Sequence, residues 1–249
     1  MLGALAGCWA APAIQAVAPP HAASGDLATA EAVLEASLVA QGGRAALGRI
    51  VSSRSTGSLI TPNGVIAKLT IQSATPRSVL TTIEVPGLQT IRQGVSGDIV
   101  WETSGLGPRI LTGSERAQQL REAAVGADAD WKTLYTQTTL EGVVAHARGH
   151  AYKIVQITPE GDRQTRYFAH EQQRVVGEEM IAASRLGTIP VVTTFSDYRA
   201  VAGTRHPHHV QRVEGAEGTM TIQLDTIEIN PTIPSGTFEL PAEIAALAK

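Results

Sequence analysis

The chain has 249 residues, 43% of them hydrophobic, which is enough for the core of one large domain or two small ones. Its net charge of −3 and the lack of a Lys/Arg cluster in the sequence exclude a basic nucleic-acid-binding surface and a polybasic patch for anionic lipids. The only cysteine is Cys8, so no internal disulfide can form and no cysteine nucleophile stands later in the chain.

The first 23 residues are predicted to be an export leader and a linker. The stretch from Met1 to Ala18 is apolar, and Ala16-Val17-Ala18 offers a small-residue cleavage site. Leu5-Ala6-Gly7-Cys8 resembles the bacterial lipobox, which makes Cys8 a lipidation candidate. A lipidated protein is tethered to a membrane, whereas an ordinarily cleaved one diffuses. Either route predicts a location in the bacterial periplasm or on the periplasmic face of the outer membrane.

Residues 24–249 are predicted to form a single domain that begins with a helix. Ser24 or Asp26 is expected to cap this helix, and Gly42-Gly43 is expected to end it. A short helical turn over residues 44–48 then leads into the first strand. The apolar residues of the first helix repeat at helical spacing, namely Leu27, Ala30, Val33, Leu34 and Leu38.

Beyond Ile50 the hydrophobic pattern changes to period two, which is typical of strands with one buried face. Turn signals such as Thr61-Pro62-Asn63-Gly64 separate these strands and predict a meander of about eleven antiparallel strands. In the last strand the apolar phase slips by one residue at Asp225-Thr226, which predicts a β-bulge there. So long a sheet should curl, and helices are expected to fill its concave side.

Two helical pieces interrupt the strands near the middle of the chain. Thr112 and Glu115 stand at capping-box spacing and predict the start of a helix that carries Leu120. The second piece, over about residues 128–135, places Trp131, Leu134 and Tyr135 on one face. These side chains are candidates for an apolar lid over the sheet.

The sequence contains no nucleotide-binding, serine-hydrolase or metalloprotease motif. His206 and His208 would share one face of a strand and would ligate zinc or copper if His146 or His150 supplied a third ligand. The alternative is a polar surface beside a turn.

Paired acidic residues elsewhere do not suggest an acid–base site. Glu178 and Glu179 alternate faces in a strand, so their carboxylates should diverge. Asp197 is expected to pair locally with Arg199.

Several turn and packing patterns together resemble the LolA/LolB-like superfamily of bacterial outer-membrane lipoprotein-sorting proteins. They are the first helix with Gly42-Gly43, the strand 97–101 feeding the helix at 114–123, the segment 195–199, and the end at 227–230. The resemblance implies an α+β fold that is mainly antiparallel β, an unclosed curved half-barrel with a helical lid. It also implies a non-enzymatic protein that needs no cofactor and binds a lipid or the acyl chains of a lipoprotein.

An apolar cavity between sheet and lid would hold such a chain, because each buried methylene contributes about 0.8 kcal/mol. The same side chains would instead form a packed core in an envelope scaffold that acts through a protein partner. A metal-dependent envelope enzyme using residues 206–209 is the third hypothesis. The residues predicted to line the cavity are Leu69, Ile71, Ile83, Trp101, Leu120, Trp131, Leu134, Tyr135 and Phe195.

Overall fold

A computed structural model describes residues 27–123, 128–147, 149–185, 187–216 and 218–248, which form one antiparallel sheet and five helices. The leader, Cys8 and the two predicted cap residues Ser24 and Asp26 lie outside these ranges. The first six strands are β1 Ser52–Ile60, β2 Ile66–Ala74, β3 Ser78–Glu84, β4 Ile91–Ser96, β5 Ile99–Ser104 and β6 Gly107–Ile110. The other seven are β7 Gln137–His146, β8 Gly149–Ile157, β9 Arg163–Ala169, β10 Val175–Ser184, β11 Gly187–Val201, β12 Thr204–Glu214 and β13 Thr219–Ile229. The helices are α1 Ala30–Ala40, α2 Arg44–Leu47, α3 Gly113–Glu122, α4 Trp131–Leu134 and α5 Ala242–Leu247.

The sheet is built from two meanders that meet in its middle. The strand order is β6-β5-β4-β3-β2-β1-β13-β12-β11-β10-β9-β8-β7, so the last strand pairs with the first. The two edge strands, β6 and β7, do not pair with each other, and the half-barrel is therefore unclosed as predicted. The sheet has thirteen strands, two more than predicted.

The predicted bulge in β13 is confirmed, and it lies at the centre of the sheet. Thr56 pairs with Thr226 while Gly57 pairs with Leu224, so Asp225 is the extra residue. A Cβ on Gly57 would lie 2.0 Å from the carbonyl oxygen of Gln223, so only glycine allows the two strands to approach this closely. Bulges bend a sheet, and this one lies beside the cavity described below.

The first helix begins later than predicted. Thr29, rather than Ser24 or Asp26, is the N-cap of α1, and its hydroxyl accepts a hydrogen bond from the amide of Ala32 at 3.1 Å. The predicted end is confirmed. Gly42 has a φ of +124°, and a Cβ there would lie 2.5 Å from the carbonyl oxygen of Gly203. The end of α1 therefore packs directly against the β11–β12 turn.

The predicted capping box at α3 is wrong. Thr112 is the N-cap by position, but its side chain caps nothing. Glu115 turns instead to Arg109, with 2.7 Å between Arg109 Nη1 and Glu115 Oε2, and Arg109 also binds Glu102 at 3.1 Å. A partly buried guanidinium offers a carboxylate a stronger partner than a backbone amide does, because both groups are charged.

Alternation along the strands divides the sheet into two faces. The inner face carries Val79 and its neighbours Val95 and Val100, which contact Leu120 of α3. The outer face carries Leu80, Gly94 and Trp101, which α5 covers with the buried side chain of Ile244. The long helices therefore lie on the inner face, as the predicted lid requires.

The longest helix among the described ranges, α1, has 11 residues. None of the helices in those ranges combines the length and apolarity needed to cross a bilayer.

Candidate functional site

A cavity of about 500 Å³ lies between the inner face of the central strands and the ends of the helices. This volume falls within the roughly 300–1,000 Å³ of typical small-molecule sites. Its apolar lining comes mainly from β2, β3, β12, β13 and the segment around α2, and consists of Leu47, Ile50, Ile71, Val79, Ala123, Ala129, Pro207, Val210, Leu224, Ile227 and Ile229. Its polar lining consists of Gln41, Ser53, Ser55, Ser73, Glu122, Asp128 and His206.

Small side chains on the floor create this space. In β1 the inward positions Ser53 and Ser55 stand where large apolar residues would fill a core. Ser53 pairs with Ser73 across the β1–β2 ladder, and their hydroxyl oxygens lie 2.8 Å apart, so each hydroxyl has a partner. Ser55 lies between Ile71 and Ile227 on the neighbouring strands. The floor is therefore apolar on both sides of a narrow strip of serines.

The polar groups at the ends of the helices form one edge of the cavity. We call Gln41, Glu122, Asp128 and His206 the polar edge. Gln41 Nε2 donates to Asp128 Oδ2 at 3.4 Å, and the carbonyl of Gln41 accepts from the amide of Arg205, next to His206. Burial lowers the pKa of His206, and His208 lowers it further, so the imidazole stays neutral near neutral pH.

An ion-pair network stands behind the polar edge. Arg166 of β9 is buried and binds Asp128, with 2.7 Å between Nη2 and Oδ1. Glu178 of β10 is also within reach, at 4.0 Å from Arg166 Nε. Burial raises the pKa of Glu178, which Arg166 opposes and Glu122 reinforces. Arg166 therefore has two carboxylates as counter-ions and carries no spare positive charge toward the cavity.

Another part of the inner face carries a packed cluster. Over β8–β10, side chains of α1 and α4 pack on the sheet. This filled cluster consists of Val33, Leu34, Trp131, Tyr152, Ile154, Phe168 and Val175. The inner face thus has an open half over β1–β3, β12 and β13 and a filled half over β8–β10.

The structure distributes the predicted cavity residues over both halves. Among them, Ile71 lines the cavity itself. Leu69 and Ile83 pair with each other on the same face, farther along the strands, and Leu69 is buried. Phe195 pairs with the lining residue Val210 and packs against the filled cluster.

The predicted lid residues lie mostly in packed clusters. Leu120 contacts the inner face over β4 and β5, in the cluster that includes the cavity residue Ala123. Trp131 is part of the filled cluster, and Tyr135 packs against it and donates to Gln164 Oε1 at 2.6 Å. Leu134, half-buried, ends α4. These residues therefore hold the helices on the sheet rather than line the cavity.

Trp101 does not fit its predicted place in the cavity. Its indole lies on the outer face, against Gly94, where a Cβ would stand 2.3 Å from the ring. Leu80 and Ile244 complete its cluster. The residue sits in a strand that does face a helix, but its position in the alternation points it away from the cavity.

The histidine segment does not assemble the predicted metal site. His206 Nε2 lies 2.8 Å from Thr204 Oγ1, and His208 is buried with Nδ1 3.2 Å from the carbonyl oxygen of His206. His146 in β7 and His150 in β8 lie four or five strands away from β12, too far to complete the site. Within the described ranges, no three His, Cys, Asp or Glu side chains stand close enough to hold a metal ion.

The acidic pairs behave as the sequence predicts. Glu178 points to the inner face and Arg166, whereas Glu179 accepts from Tyr167 at 3.0 Å on the outer face. Asp197 is paired locally, with 3.1 Å between its Oδ1 and Arg199 Nε. Neither set forms a pair of carboxylates around a common substrate.

Sequence reasoning missed most of the cavity lining. The serines of β1 were available as a signal, since Ser52-Ser53-Arg54-Ser55-Thr56 is a central strand without large apolar residues. The polar edge had no such signal, because its members come from four separate segments of the chain.

Three solved structures share this fold at low sequence identity. A LolA superfamily protein from Nitrosomonas europaea is 11% identical, with a TM-score of 0.58 over 86% of this chain and 99% of that one. A DUF1329 family protein from Desulfovibrio piger is 12% identical, with a TM-score of 0.61 over 86% and 98% of the two chains. A putative outer membrane lipoprotein-sorting protein domain from Vibrio parahaemolyticus is 12% identical, with a TM-score of 0.59 over 84% and 97%.

No protein-family model matches the sequence, and no curated protein matches it. The resemblance to the LolA/LolB-like superfamily is therefore confirmed at the level of the fold, as expected for a divergent relative.

Proposed function

We propose that this protein is a non-enzymatic carrier of the bacterial envelope that holds an acyl chain of a lipid or lipoprotein in the cavity of its open half. The observation that carries the proposal is the cavity itself, about 500 Å³ with a largely apolar lining. The fold supports it, because two structures with this fold are described as a LolA superfamily protein and a lipoprotein-sorting protein domain.

The apolar lining gives the carrier its affinity. A long acyl chain in a membrane is stabilised by roughly ten kcal/mol, since each methylene contributes about 0.8 kcal/mol. A carrier accepts the chain only where it offers a comparable apolar surface. Ile71 of β2 and Leu224, Ile227 and Ile229 of β13 supply the apolar surface on either side of β1.

The lid needs contacts that hold the helices and still allow the cavity to open. Polar contacts link α1, α2 and the segment before α4. Lys132 and Glu31 form an exposed ion pair, and Arg44 donates to the carbonyl of Ala129 at 2.8 Å. Exposed pairs of this kind contribute at most about 1 kcal/mol each. A ligand that buries several methylenes would therefore outweigh these contacts.

Native mass spectrometry of the protein, exported in a bacterial host and purified without detergent, tests the proposal. We expect a co-purifying mass that extracts as a lipid. A bare protein mass, together with no binding of the uncharged fluorophore 1-N-phenylnaphthylamine on titration, would contradict the carrier function and favour a scaffold that acts through a protein partner.

A pair of variants ties the ligand to the cavity. Ser55→Phe places an aromatic ring in the cavity, and Ser58→Phe adds the same ring on the outer face of the same strand. We expect Ser55→Phe to bind 1-N-phenylnaphthylamine at least tenfold more weakly and Ser58→Phe to bind it like the wild type. Equal binding by both variants, with thermal unfolding confirming the fold, would place the ligand elsewhere.

A further inference from the structure

We infer that the part of the ligand enclosed by the cavity is uncharged and carries hydrogen-bond donors, as in a monoacylglycerol, and that a free fatty acid or a phosphate headgroup is disfavoured there. The inference rests on the proposed function and concerns the same cavity. It follows from the charges on the lining, which are all of one sign.

The charged side chains that line the cavity are carboxylates. Glu122 and Asp128 belong to the polar edge, and no lysine or arginine is among the described residues of the lining. An anionic headgroup placed here would face two carboxylates, the exposed Glu122 and the half-buried Asp128. The nearby guanidinium groups of Arg44 and Arg166 are already paired with Glu35 and Asp128.

Neighbouring cations do not change this result. Arg166 is the buried guanidinium nearest to the polar edge, and it is already bound to Asp128 at 2.7 Å and lies near Glu178. The remaining basic group of the lining is His206, whose pKa is lowered by burial. An incoming carboxylate or phosphate would therefore have to break an existing ion pair to find a positive partner.

The carboxylates of Glu122 and Asp128 can instead accept hydrogen bonds from an uncharged ligand. A carboxylate offers about four acceptor positions in total. Asp128 uses Oδ1 for Arg166 and Oδ2 for Gln41, and Glu122 Oε1 accepts from Gln118 Nε2 at 2.9 Å. Both carboxylates retain acceptor capacity, and a hydroxyl that donates to an ionised carboxylate forms a stronger bond than a neutral pair does. A glycerol or similar head at the polar edge would leave its acyl chain on Ile71 and Ile227.

Displacement of an uncharged fluorophore, 1-N-phenylnaphthylamine, from the full exported chain tests the inference. The competitors are 1-lauroylglycerol and laurate, which share one acyl chain, each kept below its micelle concentration at pH 7.5. We expect 1-lauroylglycerol to displace the probe at a concentration at least tenfold lower than laurate. Equal potency, or a preference for laurate, would overturn the inference and leave the carrier function intact.

Failure of the carrier function gives a different result, because neither the probe nor either competitor would then bind.

A variant pair assigns the discrimination to the polar edge. Glu122→Gln keeps an acceptor for Gln118 and removes one charge, so the preference for 1-lauroylglycerol should shrink severalfold through tighter laurate binding. Glu243→Gln, on the exposed face of α5, should keep the full preference. An unchanged preference in Glu122→Gln would contradict the role of the polar edge.

Discussion

The filled half and the open half of the inner face differ in the size of their inward side chains. Over β8–β10 the sheet presents Tyr152, Ile154 and Phe168, and Val33 and Leu34 of α1 complete a close-packed cluster. Over β1 and β2 the corresponding positions are Ser53, Ser55 and Ser73, and the helices above them leave a cavity. One curved sheet therefore supplies both a core that stabilises the domain and a space that can receive a ligand.

This division also explains where the helices are anchored. Trp131 and the buried face of α1 hold the lid on the filled half, and Leu120 holds α3 beside β4 and β5. The open half lies between these two anchors. Opening of the cavity needs the polar contacts at its edge to break, while the two apolar anchors stay in place.

The largest difference between the halves should appear in stability. Phe168→Ala removes a buried aromatic ring that packs on α1 and α4 and on which Arg166 stacks, 5.3 Å from its centroid. We expect a loss of about 3–5 kcal/mol in the free energy of unfolding, measured by denaturant titration, because the cluster cannot collapse around the gap. Binding of 1-N-phenylnaphthylamine by the folded fraction should be unchanged. A loss below about 1 kcal/mol would contradict the description of this half as filled.

The equivalent truncation in the open half should cost less stability and more affinity. Ile227 already borders empty space, so Ile227→Ala removes fewer contacts, and we expect a loss of about 1–2 kcal/mol with severalfold weaker lipid binding. Ile181→Ala is the matched control, since Ile181 is 57% exposed on the outer face. It should change stability by less than about 0.5 kcal/mol and leave binding alone. A stability loss at Ile227 as large as that at Phe168 would remove the distinction between the halves.

The smallest expected effect concerns pH and the boundary between the halves. Burial raises the pKa of Glu178, so the folded state binds this proton more readily than the unfolded state does. The charged carboxylate therefore destabilises the protein most at pH values above its folded pKa. This destabilisation decreases as the pH falls through the folded pKa toward about 4.3, the ordinary pKa of glutamate.

Glu178→Gln removes this titration. At pH 8 we expect the variant to be more stable than the wild type, because glutamine carries no buried charge at this position. Its free energy of unfolding relative to the wild type should fall as the pH is lowered from 8 to 5, as measured by urea titration at each pH. A difference that stays constant across this range would show that Glu178 does not titrate differently in the folded and unfolded states.

Much of the fold followed from local patterns in the sequence. Period-two alternation and turn residues predicted an antiparallel meander, and the resemblance to the LolA/LolB-like superfamily implied that it is unclosed. The phase slip at Asp225 predicted the bulge that the structure contains. Gly42-Gly43 predicted the end of the first helix. These features are visible in the sequence because they depend on residues close together in the chain. The helix caps were less predictable, since Glu115 is held by Arg109 in a neighbouring strand.

The sequence predicted the kind of site, an apolar cavity, but not most of the residues that line it. An apolar cavity under helices was expected, yet Trp101 faces outward and Trp131 fills a core, because large apolar side chains occupy packed positions wherever the fold offers them. By itself the sequence determined the strands, their turns and the polarity of their two faces. Only the tertiary structure decided which half of the inner face is filled, because that depends on where α1 and α3 pack on the sheet. It alone brought Gln41, Glu122, Asp128 and His206 to one edge, since they come from distant segments that only the packed fold brings together.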